Sequence, residues 1–128
     1  MNLQAIHLPS AGAGACLCHG LRVWSAQTAA ERMRGLLARP PLKHDEALLL
    51  RPCRLVHTFG MAYPIDLVFI DRAGVVKRID TAVPRSRVRG CARAWQTLEL
   101  AAGGAQRHGL AVNDLLPALQ KSTRGVFS

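Results

Sequence analysis

From residue 65 to residue 70 nearly every side chain is large and apolar, with Pro64 in front and Asp71-Arg-Ala-Gly74 behind. A short run that is apolar on both parities predicts a strand covered on both faces, and proline suits the position that opens it. Asp66 breaks the pattern. Period-two alternation places it with Val68 and Ile70, and places Ile65, Leu67 and Phe69 on the other side. A carboxylate in such company needs a partner. The 71–74 segment predicts a hairpin loop in which Gly74 is free to take a positive φ, followed by a return strand over 75–79. Upstream, His57 shares a parity with Leu55 and Phe59, and Gly60-Met61 reads as an irregular link to the proline.

The remaining elements follow from periodicity and punctuation. Thr28-x-x-Glu31 is a capping box, Met33, Leu36 and Leu37 form an apolar stripe, and Pro40-Pro41 stops the run. This predicts an amphipathic helix over about 28–38 with Arg32, Arg34 and Arg39 on its polar flank, and Gly35 where a strand passes close by. Strands are expected at 21–24, 47–50 and 91–100, with 53–59 leading into the central one. In 91–100, Trp95, Thr97 and Glu99 share one face and Ala94, Gln96, Leu98 and Leu100 the other, so Glu99 is a second carboxylate in apolar company. Residues 101–108 predict a short second helix weakened by Gly103-Gly104 and stopped by Gly109, and 110–116 a turn and last strand. Residues 1–18 carry no clear period and read as a loosely ordered arm, and 119–128 as a flexible tail. A single globular domain remains over 19–118, mainly β, with helices packed outside it.

Size and composition narrow the classes. The chain of 128 residues can bury one core without disulfides or metal. Hydrophobic residues make up 49%, yet no run approaches the roughly 18 residues of a membrane span. The first residues lack a basic stretch ahead of an apolar one, so no signal peptide is expected, the expected compartment is the cytoplasm, and the four cysteines are expected as thiols. Cys16-x-Cys18-His19 resembles half a metal site, but Cys53 and His57 would have to be brought alongside by the fold; buried thiols are the commoner outcome, and no metal or cofactor is expected. The net charge of +9 favours polyanionic company: nucleic acid, an anionic lipid surface or an acidic protein.

Three functional readings compete. The first is a non-enzymatic binding or accessory domain, with His57, Met61, Asp66, Glu99 and Arg32 as candidate ligand contacts. The second is a small hydrolase in which Asp66 and Glu99 divide acid and base roles and His57 assists. The blander account is structural: a buried Asp66 accepts backbone N–H bonds or pairs with an arginine, and Arg32 from the outer helix is a candidate partner for Asp66 or Glu99, which fixes architecture. Cys53 has only Arg51 and Arg54 near it in sequence and no nucleophile signature. The third reading is a nucleic-acid module: Arg85, Arg87 and Arg89 alternate, and in an extended conformation would share a face, with Arg93 nearby and Trp95 as the only neighbouring stacking platform.

Four segments carry a resemblance: ERMRGLL at 31–37, the run from LLLRPC to HTFGMAYPIDLVFIDRAG at 48–74, TLELAAG at 97–103 and HGLAVNDLL at 108–116. Together, in this order, they resemble the uncharacterised prokaryotic family DUF192, also uncharacterised protein family 0127, over roughly 21–116. Arg32, Gly35, Met61, Pro64, Asp66, Asp71, Gly74, Glu99 and Asp114 match its pattern. Where many members read Trp-Met-Lys-Asn-Thr before the proline, this chain has Phe59-Gly-Met61-Ala-Tyr63, which removes the lysine and asparagine as ligand contacts. Asn113-Asp114 replaces the usual Gly-Asp, a change that a left-handed position tolerates. The resemblance implies a compact two-sheet, jelly-roll-like sandwich or barrel with helices at its edge, and no established catalytic activity.

Overall fold

The computed structural model describes residues 3–7, 21–26 and 42–120. Among the described residues there are eight strands: β1 (Leu3–His7), β2 (Arg22–Ala26), β3 (Glu46–Leu50), β4 (Leu55–His57), β5 (Ile65–Ile70), β6 (Val76–Val83), β7 (Val88–Gly90) and β8 (Gln96–Ala101). They are followed by a short helix, α1 (Gly104–Arg107), and a 3-10 turn at Pro117–Leu119. Six strands form one sheet in the order β1-β2-β3-β8-β5-β6, and β4 and β7 form a second. Every neighbouring pair is antiparallel except β2 and β3. A parallel pair needs a long crossover, and the connection from β2 to β3 contains the segment predicted as the amphipathic helix. Residues 28–38 lie outside the described residues.

The protein is mainly β, with two sheets layered as in a sandwich and no closed barrel among the described residues. Side-chain alternation splits the core between the two faces of the large sheet. On one face Val68, Ile70, Leu98, Leu100 and Leu49 pack against Ala105 of α1 and against Leu116 and Leu119 of the closing segment. On the other, Ile65, Leu67, Phe69, Leu48 and Val83 pack against Val56 of β4, Met61 and Ala94. All six side chains of β5 are buried, as its doubly apolar pattern requires.

The hairpin after β5 is built as its residues dictate. Asp71 Oδ1 accepts N–H bonds from Ala73 and Val75, both at 2.9 Å, and Gly74 takes φ 86. A Cβ at Gly74 would stand 2.6 Å from the carbonyl oxygen of Leu116, so both the conformation and the space call for glycine. Asn113 takes φ 78, the left-handed position that its substitution for glycine anticipates.

Four expectations need correction. Residues 3–7, expected within a loose arm, form a strand because β2 offers them a full antiparallel ladder. The final strand begins at Gln96, since residues 91–95 turn: Ala94 N–H donates to the Cys91 carbonyl, and Trp95 N–H to that of Ile70. In 110–116 the expected last strand shrinks to a single bridge between Val75 and Leu115. The return strand is longer than 75–79, because β6 passes through a register shift opposite Ile65 and Leu67 and regains pairing at Val83.

Gly74→Ala combines a left-handed alanine with a backbone clash and is expected to cost about 1–3 kcal/mol in chemical denaturation without loss of secondary structure. A variant as stable as the wild type would show that the hairpin is not held as described.

Candidate functional site

Asp66 is fully buried, and its carboxylate is taken up by backbone. Oδ1 accepts from Ala82 N–H at 2.8 Å and from Gly103 N–H at 3.2 Å; Oδ2 accepts from Ala105 N–H at 3.0 Å. Each donor has a local reason to need it. Ala82, at φ 47, lies where β6 slips register and loses its ladder partner. Gly103 and Ala105 open α1, whose first N–H groups have no partner within the helix and no capping side chain of their own. Asp66 therefore caps α1 from a distant strand. The sequence predicted backbone N–H bonds or Arg32 as its partners; backbone supplies the bonds seen here, and Arg32 lies outside the described residues.

Glu99 lies on the opposite face. Its register partners are Leu48 and Leu67, whereas Asp66 pairs with Leu100. The residue is 5% exposed, and its Oε1 has no hydrogen-bond partner among the described residues. Burial away from water pushes its carboxyl up to about 8, so at neutral pH it carries its proton.

His57 is on a third surface. β4 turns Val56 inward and leaves Leu55 and His57 on the outside, with the His57 ring 5.6 Å from that of Phe59. The acid–base group suggested by sequence is thus not assembled: the large sheet separates the two carboxyl groups, and the imidazole faces solvent. Met61, another candidate contact, is 6% exposed and belongs to the core between the sheets.

The arginine stripe also needs correction. Ser86 takes φ 64, so residues 85–89 bend, and the alternation of Arg85, Arg87 and Arg89 does not continue across the bend. Arg89 lies opposite the inward-facing Val56 and directs its Nε toward Asp80 Oδ2 at 3.7 Å. Asp80 also accepts from Arg78 Nε at 2.7 Å, and Arg78 Nη1 donates to the Gly90 carbonyl at 3.0 Å. These contacts pin the small sheet to the edge of the large one. Arg87 curls onto the carbonyls of Arg85 and Ser86. Trp95, the expected stacking platform, is already engaged, with the guanidiniums of Arg51 and Arg72 at 5.7 and 5.4 Å from its ring centroid.

What the small sheet does present is a mixed apolar and basic surface. Leu55 is 67% exposed, and Phe59 and Val88 are each 51% exposed. Val88 stands across from His57 in the β4–β7 ladder. At one end Thr58 bonds into the 84–87 bend that carries Arg85 and Arg87. At the other, Cys91 N–H donates to the Arg54 carbonyl, which brings the exposed Arg93 turn beside Arg54. The signal was readable: residues 51–63 and 81–95 contain six arginines and not one Asp or Glu. Sequence reasoning considered only one of the two segments, because their pairing is a tertiary fact. Cys53 and Cys91 flank the same core, half-buried, while Cys16, Cys18 and His19 fall outside the described residues.

Comparison with known proteins places this geometry. Residues 12–117 match the family DUF192, described as an uncharacterized ACR. A crystal structure from Sinorhizobium meliloti 1021, provisionally named a transcription regulator, has a TM-score of 0.67 and 22% identity, covering 74% of this chain and 79% of the other. A protein of unknown function from Novosphingobium aromaticivorans DSM 12444 has a TM-score of 0.67 and 24% identity, covering 74% and 73%. Likeness at this identity establishes the fold. Among curated proteins, none matches the chain.

Two measurements check the buried carboxyls. Asp66→Ala strands three N–H groups and is expected to cost about 3 kcal/mol or more in denaturant unfolding. A cost below about 1 kcal/mol would contradict the capping role. For Glu99, the folded value of about 8 lies above the ordinary 4.5. Between those pH values the unfolded chain has released a proton that the folded chain keeps, so stability falls as pH rises, by about 1.4 kcal/mol per unit. Glu99→Gln should remove that slope when wild type and variant are unfolded across the same pH series; identical slopes would refute the assignment.

Proposed function

The chain belongs to DUF192, and on that premise we propose that it is a non-enzymatic binding domain that docks a polyanionic partner on the outer face of its small sheet. The observation that carries this reading is the surface made by Leu55, His57, Phe59 and Val88, bordered by Arg54, Arg85, Arg87 and Arg93. Arg54, Arg85 and Arg93 are exposed and make no ion pair among the described residues. Acidic side chains are placed elsewhere: Asp45 and Glu46 beside Arg22, Asp71 at the hairpin with Lys77, and Asp80 locked to Arg78 and Arg89. The positive potential over β4 and β7 is therefore not cancelled locally, which raises the encounter rate with anions and makes it salt-dependent.

Heparin serves as a generic polyanion for the test. In a backbone amide NMR titration, shifts are expected to concentrate at 54–59 and 85–93 and to weaken steeply with salt. Changing Arg54, Arg85 and Arg93 together to Ala should reduce affinity by tenfold or more while leaving the melting temperature within a few degrees. Shifts centred on another surface, or affinity indifferent to the triple change, would overturn the proposal.

A further inference from the structure

The composition of the small sheet's outer face says more than its sign. A phosphate backbone is recognised by cations, polar donors and stacking rings. Here the middle of the basic field is occupied by aliphatic side chains, Leu55 and Val88, with Phe59 beside them, each more than half exposed. A duplex gives such groups little to bury, and the Trp95 ring already has the guanidiniums of Arg51 and Arg72 near it. A folded protein partner is disfavoured by area. β4 and β7 have three residues each, so their outer face alone offers on the order of 100–200 Å², and an interface of the standard roughly 800 Å² per side would have to extend well beyond it and its bordering arginines. A lipid headgroup region matches both components, since it takes apolar side chains to shallow depth while its phosphates meet the arginines around them.

Charge distinguishes this patch from the other exposed apolar pair. Val112 and Leu115 are 48% and 46% exposed, but Asp114 lies between them and Asp71 shares their end of the sheet, near the Val75–Leu115 bridge. No arginine borders them in sequence. Of these two apolar patches among the described residues, the one on β4 and β7 is set among cations with no ion-pair partner there.

We propose that this face is a membrane-docking surface: the small sheet lies against an anionic phospholipid layer, Leu55, Phe59 and Val88 enter beneath the headgroups, and Arg54, Arg85, Arg87 and Arg93 contact the phosphates. This rests on the docking reading above and names its partner. The association is peripheral. Among the described residues no helix is long and apolar enough to cross a bilayer. Val56 and the Asp80–Arg89 contact hold β4 and β7 against the large sheet, so the apolar side chains are presented without a rearrangement.

The test is co-sedimentation of the full chain with phosphatidylcholine vesicles that contain, or lack, roughly one-third phosphatidylglycerol. Binding is expected to the anionic vesicles and to be absent from phosphatidylcholine alone. The Arg54→Ala, Arg85→Ala, Arg93→Ala triple variant should lose roughly a hundredfold in partitioning. The charge-neutral pair Leu55→Ser, Phe59→Ser should lose about tenfold or more on the same vesicles. Circular dichroism and melting of each variant confirm that it folds. If the serine pair binds anionic vesicles like the wild type, attraction is by charge alone and the membrane proposal falls. No binding to anionic vesicles by a protein whose heparin shifts still map to 54–59 and 85–93 overturns the lipid assignment and leaves the docking reading standing. Failure of both vesicle binding and heparin mapping removes both.

Discussion

The Asp66 carboxylate satisfies three backbone N–H groups that no ladder reaches: one at the slip in β6 and two at the start of α1. Left unmet, these donors would go without partners, at greatest cost at the buried Ala105, where an unmet donor costs as much as a lost hydrogen bond. By holding all three, Asp66 decides where β6 bends and where α1 sits. α1 has four residues, too few to be stable alone, and remains in place because its N-terminus is tied to β5 and Ala105 packs into the core. Leu110, Leu116 and Leu119 then close the same face. A short helix and an irregular strand are thus made compatible by one side chain from a regular strand between them.

Glu99 shows the opposite arrangement on the other face of the same sheet. With Leu48 and Leu67 as its neighbours in register and no donor at Oε1 among the described residues, it is tolerated because it keeps its proton. A neutral carboxyl costs far less to bury than a carboxylate. Two acids that look alike in sequence, each alone among hydrophobic residues, therefore do different things, because one meets the irregular ends of neighbouring elements and the other meets the middle of regular strands. Neither is positioned to exchange protons with the other across a sheet packed on both sides.

Much of the architecture was legible because its signals are local. The doubly apolar run of β5, the Asp71–Gly74 turn and the opposed parities of Thr97 and Leu98 follow from spacing, and each stands as read. The alternation argument succeeded for Asp66 and Glu99 taken singly: it put each on the face where it lies. It could not say that the two faces differ, since that depends on the register by which β8 joins β5. It failed for Arg85, Arg87 and Arg89 because alternation assumes an extended chain, and Ser86 interrupts it with a left-handed turn that no glycine or asparagine announces. Pairing of β4 with β7 joins segments more than thirty positions apart, and no periodicity within either one encodes it.

That pairing also explains how a small, strongly basic layer remains bound to the protein. Six arginines on residues 51–63 and 81–95 repel one another, yet the layer is anchored from beneath by Val56, by Asp80 reaching Arg78 and Arg89, and by Thr58 Oγ1 donating to the Pro84 carbonyl at 2.7 Å. Asp80 is the only acid in contact with this layer among the described residues, and it is spent on its underside. Among the described residues nothing opposes the cations of the outer side, and its apolar side chains stand in water. Both conditions are unfavourable in isolation, and both are relieved by the same event, approach of a surface that is anionic at its boundary and apolar just below it. Because β4 and β7 are held before that approach, the proposed contact would lose little ordering entropy.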